Sequence, residues 1–200
     1  VLPATAGLLI LGKPIVVLLF ERGAFGAESS AMTTDALVCY TVGLWAFSGM
    51  RVLIAAFYAL QDTKTPVKVA IIALSVNVIT SLVLMGPLKH AGLALALSVA
   101  SAVQFGLLAL FLRKKGLFMH AGSILKSVSK SGAATLVMGA IVFICHGNWF
   151  YTTAIDALSE KILSLSALVL IGIVVYFLVA RLMGCREISA VWAMLGFKRT

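Results

Sequence analysis

The stretch FYALQDTKTPVKVAII, residues 57–72, sets Gln61, Asp62, Thr63, Lys64, Thr65, Pro66 and Lys68 between two long apolar runs. The run before it covers Ala36–Leu60 and the run after it Val67–Met85. At about 1.5 Å of rise per residue, each is long enough as a helix to cross roughly 30 Å of hydrocarbon. The stretch therefore reads as a tight polar hairpin between two spanning helices. Pro66 suits the first turn of the second helix, where a missing N–H costs nothing. Thr65 is the expected N-cap. Lys64 and Lys68 hold the turn at a membrane face. Asp62 is left without a role, because topology needs no acid there.

Composition extends this reading to the whole chain. Of the 200 residues 62% are apolar and 12% charged, and mean hydropathy is +1.10. So few charges cannot cover a soluble core of this size, so the expected class is an all-α, polytopic membrane helical bundle. Six apolar runs can be marked: Val1–Phe20, Ala36–Leu60, Val67–Met85, Ala91–Leu112, Val128–His146 and Ile162–Ala180. None alternates apolar and polar residues as barrel strands do, and backbone groups in lipid must be satisfied internally, so the runs are helices.

Charge orients them. Sixteen Lys and Arg stand against seven Asp and Glu. With six crossings, one side carries eleven of the cations: Lys64, Lys68, Arg113, Lys114, Lys115, Lys126, Lys130, Arg181, Arg186, Lys198 and Arg199. The other side carries three, Arg22, Lys89 and Lys161. The richer side is expected to be cytoplasmic, which puts both termini there. The basic residues lie between apolar runs rather than along one face with interleaved aromatics, so membrane lipid is the expected partner and nucleic acid is not.

The loops fit this scheme. FERGAFGAESS (20–30) reads as an external loop, with Ser30 or Thr33 capping the second helix. GPLKHAG (86–92) reads as a short external turn, and LRKKGLFMHAGS (112–123) as a basic cytoplasmic linker that can lie as a short helix on the membrane. Trp149, Phe150 and Tyr151 fit an interfacial aromatic belt. The expected division is a four-helix part over 1–113, a linker over 114–126, a two-helix pair over 127–184 and a cytoplasmic tail over 185–200. The chain opens on Val1 without a basic leader region, and is expected to begin partway through a longer protein.

Nothing in the chain reads as a catalytic, metal or cofactor motif. Cys39, Cys145 and Cys185 are scattered, and His90, His120 and His146 stand at the edges of runs. No pair of carboxylates is placed for acid–base work. The expectation is a non-enzyme without cofactor or metal.

The remaining signal is polar residues inside the apolar runs. Arg51 lies nine residues before Leu60, roughly 13 Å deep at about 1.5 Å per residue. It reads either as part of a structural ion pair or as a residue on a substrate path. Lys13 precedes Pro14 in the first run, where a kinked or broken helix is expected. Asn77, Thr80 and Ser81 share one helical side of the third run, and Ser98, Ser101 and Gln104 follow similar spacing in the fourth. These serve interhelical hydrogen bonding, or else Asn77, Ser81 and Ser98 form an oxygen-lined cation site.

Three stretches together carry a family resemblance: PIVVLLFERGAF (14–25), YTVGLWAFSGMRVLIAAFYALQDTKTPVKVAI (40–71) and GPLKHAGLALALS (86–98). They closely resemble the MurJ, or MviN, family of lipid II flippases in bacterial peptidoglycan synthesis, with FYALQDTKTPVK as the most specific part. The family is similar to the exporters of the MOP superfamily. The resemblance implies fourteen helices in two lobes plus a terminal pair, of which this chain looks like the last six. It implies an undecaprenyl-diphosphate-linked substrate, the N-terminal lobe of the same protein as partner, alternating access, and a multi-pass place in the inner membrane. The family's substrate-binding arginines lie mainly on helices outside this stretch. Asn77 matches an Asn of a sodium site known in some members, and Ser81 stands where that site has an acid. The alternatives are another MOP-type exporter, of polysaccharide or drugs, and a non-transport membrane scaffold.

Overall fold

The computed structural model describes the backbone of residues 1–116, 121–152 and 158–184. It is all-helical there: α1 (Leu2–Phe20), α2 (Ala27–Ala59), α3 (Lys64–Lys114), α4 (Ala121–Thr152) and α5 (Leu158–Leu182). Among the described residues five helices are long and apolar enough to cross a membrane. The expected aromatic belt at Trp149–Tyr151, the tail over 185–200 and the surface helix in the 112–123 linker rest on side chains or backbone outside the described residues.

Helix α3 contains both the third and the fourth apolar runs. Its 51 residues would make a rod of roughly 76 Å, more than twice the hydrocarbon thickness. It is not a rod. Lys89 leaves helical geometry at φ 48°, ψ −121°, two residues after Pro87. The expected turn over 86–92 is thus concentrated at a single residue. Val69 from the first half packs in one apolar cluster with Leu108 and Leu112 from the second, so α3 folds back on itself as a hairpin. The reversal is tight enough that the Leu84 carbonyl occupies the space a side chain at Gly92 would need.

Two compact units divide the chain: Leu19–Met119 with Val1, and Leu2–Leu18 with His120–Thr200. In the first, α2 runs parallel to the second half of α3. Gly43 meets Ser98, Gly49 meets Phe105, and Leu53 and Phe57 cluster with Leu108 and Leu112, in the same order along both helices. Gly43 lets the backbones approach closely, as small residues do between helices in lipid, and Gly49 leaves room for the Phe105 ring. Trp45 adds an edge-on contact to Phe105, with ring centroids 5.5 Å apart.

In the second unit, Leu11 of α1 packs with Met138 and Val142 of α4 and Leu168 of α5. Gly139 lies against Ile10 and Ala6, and Gly172 against Val142. By packing, Leu2–Leu18 therefore groups with α4 and α5. Ser131 and Tyr176 share a hydrogen bond of 2.9 Å, and the Lys130 ammonium donates to the Met183 carbonyl at 3.0 Å, closing the end of α5.

Three local expectations are corrected. First, α1 is one helix through Pro14 and is not broken; proline removes a single backbone bond, a loss tolerated in apolar helices. Second, α2 is capped at Gly26 and starts at Ala27 rather than at Ser30 or Thr33. The hydroxyls of Thr33 and Thr34 donate back to the carbonyls of Ser29 and Ser30, both at 2.8 Å, so these polar residues sit inside the helix. Third, Thr65 is not the cap of α3, which starts at Lys64. Pro66 falls within the first turn, as expected.

Candidate functional site

The turn between α2 and α3 is built from backbone outward. Gln61 takes the left-handed conformation, φ 58°. The Asp62 N–H then reaches the Phe57 carbonyl at 3.0 Å and the Gln61 N–H the Tyr58 carbonyl at 2.9 Å. This is the bonding pattern of a Schellman helix end, usually made with glycine at the left-handed position. The chain is thereby turned so that the Asp62 carboxylate points at the start of α3. One oxygen accepts the Thr65 N–H at 3.0 Å, and the other accepts the Thr65 hydroxyl at 2.7 Å. Asp62, three residues ahead of Thr65, does the capping.

Asp62 also has a long-range partner. The Lys115 ammonium, just past the end of α3, sits 2.5 Å from its second oxygen. Lys115 lies over the Phe57 ring as well, 5.6 Å from the centroid. Hydrogen bonding to Lys115 first, then to the Thr65 hydroxyl and N–H, holds the Asp62 carboxyl well below the usual carboxylate range. In the sequence Lys115 reads only as a topogenic charge. An Asp three residues before a Thr at a helix start was a legible capping signal; the partner across the fold was not.

Arg51 stands on the opposite side of α2 from its core contacts. Ala46, Leu53 and Phe57 are buried against α3, whereas Arg51, Tyr40 and Tyr58 are exposed on one helical stripe with Ser48 half-buried between them. Among the described residues Arg51 has neither an ion pair nor a hydrogen bond. Lys13 is likewise exposed, on α1.

The three oxygen residues are placed differently. Ser98 is buried, and its hydroxyl donates to the Cys39 carbonyl of α2 at 2.6 Å. It serves helix packing. The neighbouring Ser101 donates within its own helix to Leu97, at 2.7 Å. Asn77 and Ser81 are half-buried, and the Asn77 side-chain oxygen is shielded without a hydrogen-bond partner. No hydrogen bond joins Asn77, Ser81 and Ser98 to one another. Among the described residues no group of three His, Cys, Asp or Glu is arranged to hold a metal ion.

Comparison with known proteins places this architecture. A family model described as lipid II flippase MurJ matches residues 1–159. The chain is 34% identical over 177 residues to a probable lipid II flippase MurJ of Rickettsia prowazekii (strain Madrid E), covering 88% of this chain and 35% of the relative. It is 34% identical over 192 residues to a probable lipid II flippase MurJ of Rhizobium meliloti (strain 1021), covering 95% of this chain and 36% of the relative. A lipid II flippase MurJ of Burkholderia cenocepacia is 31% identical over 182 residues, 91% of this chain and 35% of that one. A solved lipid II flippase MurJ in an inward closed conformation shares the fold, with a TM-score of 0.68 at 23% identity, over 97% of this chain and 36% of that structure. The chain thus spans roughly a third of the length of the proteins it matches. With its helices, its turn and these matches taken together, the chain belongs to the lipid II flippase MurJ family.

Proposed function

We propose that this chain is the C-terminal part of a flippase that moves a lipid-linked peptidoglycan precursor, lipid II, across the bacterial inner membrane by alternating access. The substrate class comes from the names of its relatives. Its membrane location follows from its family and its long apolar helices. In this reading the two halves of α3 are separate crossings. The chain then crosses six times, both ends are cytoplasmic, and the eleven-to-three division of cations agrees with the positive-inside rule. Residues 1–113 supply four crossings of the second lobe and 127–184 the terminal pair. The partners are membrane lipid, an undecaprenyl-diphosphate-linked substrate and the N-terminal lobe of the same protein. Chemistry at a reacting centre is not required, so the chain is not an enzyme.

The observation that carries the reading is Arg51. An unpaired guanidinium on an apolar helix is costly unless it meets water, an acid or a phosphate. Its outward stripe with Tyr40, Ser48 and Tyr58 points away from the helix core and supports a place on a hydrated cavity wall. Lys13 is a second candidate for the path. A cation site at Asn77, Ser81 and Ser98 is the weaker element, since Ser98 is already spent on Cys39.

The test is complementation by the full-length protein carrying Arg51→Ala or Arg51→Lys, with membrane abundance checked. A guanidinium that grips an anion through two parallel bonds predicts loss of growth with both changes, because lysine keeps the charge but not the planar fork. Normal growth of Arg51→Ala at normal abundance removes Arg51 from the path.

A further inference from the structure

We propose that Asp62 and Lys115 form a latch that ties three helix ends, the end of α2 and both ends of α3, into one fixed cluster. The inference is independent of what the protein transports, and nothing in it uses Arg51.

Several tasks converge on one carboxylate. Asp62 sits directly after the Schellman end of α2, so its backbone is fixed by the bonds to Phe57. Its first oxygen caps the start of α3 at the Thr65 N–H. Its second oxygen holds both the Thr65 hydroxyl and the Lys115 ammonium. Lys115 is equally constrained. Its N–H bonds to the carbonyls of Phe111 and Leu112, and Gly116 closes the turn on Arg113 with φ 76°. The Lys115 ammonium lies over the Phe57 ring, which is fully buried in the cluster of Leu53, Val69, Leu108 and Leu112. The ion pair therefore lies directly over the apolar cluster that joins the same three segments.

An exposed ion pair between two free side chains is worth little. This one differs in what the partners are attached to. The Asp62 side chain is 19% exposed and Lys115 41%, and both backbones are already held by helix-end bonds, so little further freedom is lost when they meet. Lys64, Lys68, Arg113 and Lys114 are exposed at the same turns. They repel one another, and Asp62 is the acid set among them. Without it, like charges at the two ends of α3 drive those ends apart. The latch is thus a device for keeping α2 and the two halves of α3 moving as one block.

The experiment uses the full-length protein with spin labels at positions 64 and 113, one on each end of α3, and reads the distance distribution between them. The unmodified latch gives a narrow distribution. Lys115→Met keeps a flexible unbranched side chain but removes the charge, and is expected to widen the distribution at least two-fold. Asp62→Asn, which keeps one acceptor for the Thr65 N–H, is expected to do the same. Lys115→Arg restores the narrow width, because the charge and not the stem makes the tie. An unchanged width in Lys115→Met overturns the latch. So does widening in Lys115→Arg equal to that in Lys115→Met.

Discussion

Replacing Gly43 with alanine tests the packing of α2 on α3 at its closest point. A methyl group at Gly43 would lie 2.5 Å from the Ser98 hydroxyl oxygen, 2.8 Å from its Cβ and 2.9 Å from its Cα. Carbon atoms rest at about 3.5–4.0 Å from each other. The Cα is backbone, so no rotamer change relieves the clash, and the helices must part by roughly 0.6 Å or more. That separation also stretches the Ser98 bond to the Cys39 carbonyl, now 2.6 Å. Overpacking of this kind costs about 1–3 kcal/mol. The weakened interhelical bond adds up to roughly 0.6 kcal/mol. Alanine's better helix propensity offsets about 0.8–1 kcal/mol. The net expectation is a loss of up to about 2.8 kcal/mol. The assay is reversible unfolding of the purified full-length protein in mixed micelles. Gly106→Ala is the control, since Gly106 lies on the same half of α3 with nothing within 4 Å of a new methyl group. It should be neutral or more stable. Ser98→Ala isolates the hydrogen bond alone and should cost less than Gly43→Ala. If Gly43→Ala is no less stable than Gly106→Ala, the close approach is not a real constraint and the reasoning fails.

Two further outcomes follow from the turn. Gln61 occupies a left-handed position that glycine adopts without strain; relief of about 1–2 kcal/mol less an entropic cost of about 0.5–1 kcal/mol leaves Gln61→Gly more stable by roughly 0.5–1 kcal/mol, read in the same unfolding assay, and a loss would mean the Gln61 side chain has a contact of its own. The Asp62 carboxyl is held below its unfolded value by Lys115 and Thr65. Its contribution is therefore present above the unfolded carboxylate pKa of about 4 and fades only as pH falls through and below it. The distance distribution between labels at 64 and 113 should be identical at pH 8 and pH 5, and a latch that opens by pH 5 would contradict this assignment.

Much of the fold was legible in the sequence because hydropathy is a local, additive property. Each apolar run announces its helix regardless of what surrounds it, and the polar stretch 61–66 announces the turn between two of them. The family was legible for the same reason, from residues 14–98 read as a string. Even so, Thr65 and Asp62 traded roles, because both residue types cap helices and only backbone geometry tells which carboxylate or hydroxyl faces the free N–H groups. Pro14 reads as a kink or a break, and no break occurs: it is carried inside one helix.

What the tertiary structure alone decided are the pairings over long separations. Lys115 meets Asp62 across 53 positions, and Ser98 meets the Cys39 carbonyl across 59. Neither pairing has a local signature, since it depends on α2 and the second half of α3 lying parallel, and that in turn on the reversal at Lys89. The same packing turns Ala46, Leu53 and Phe57 inward and leaves Arg51 outward. A sequence shows that an arginine lies within an apolar helix; which side it faces is settled only when the other side finds a neighbour to bury it.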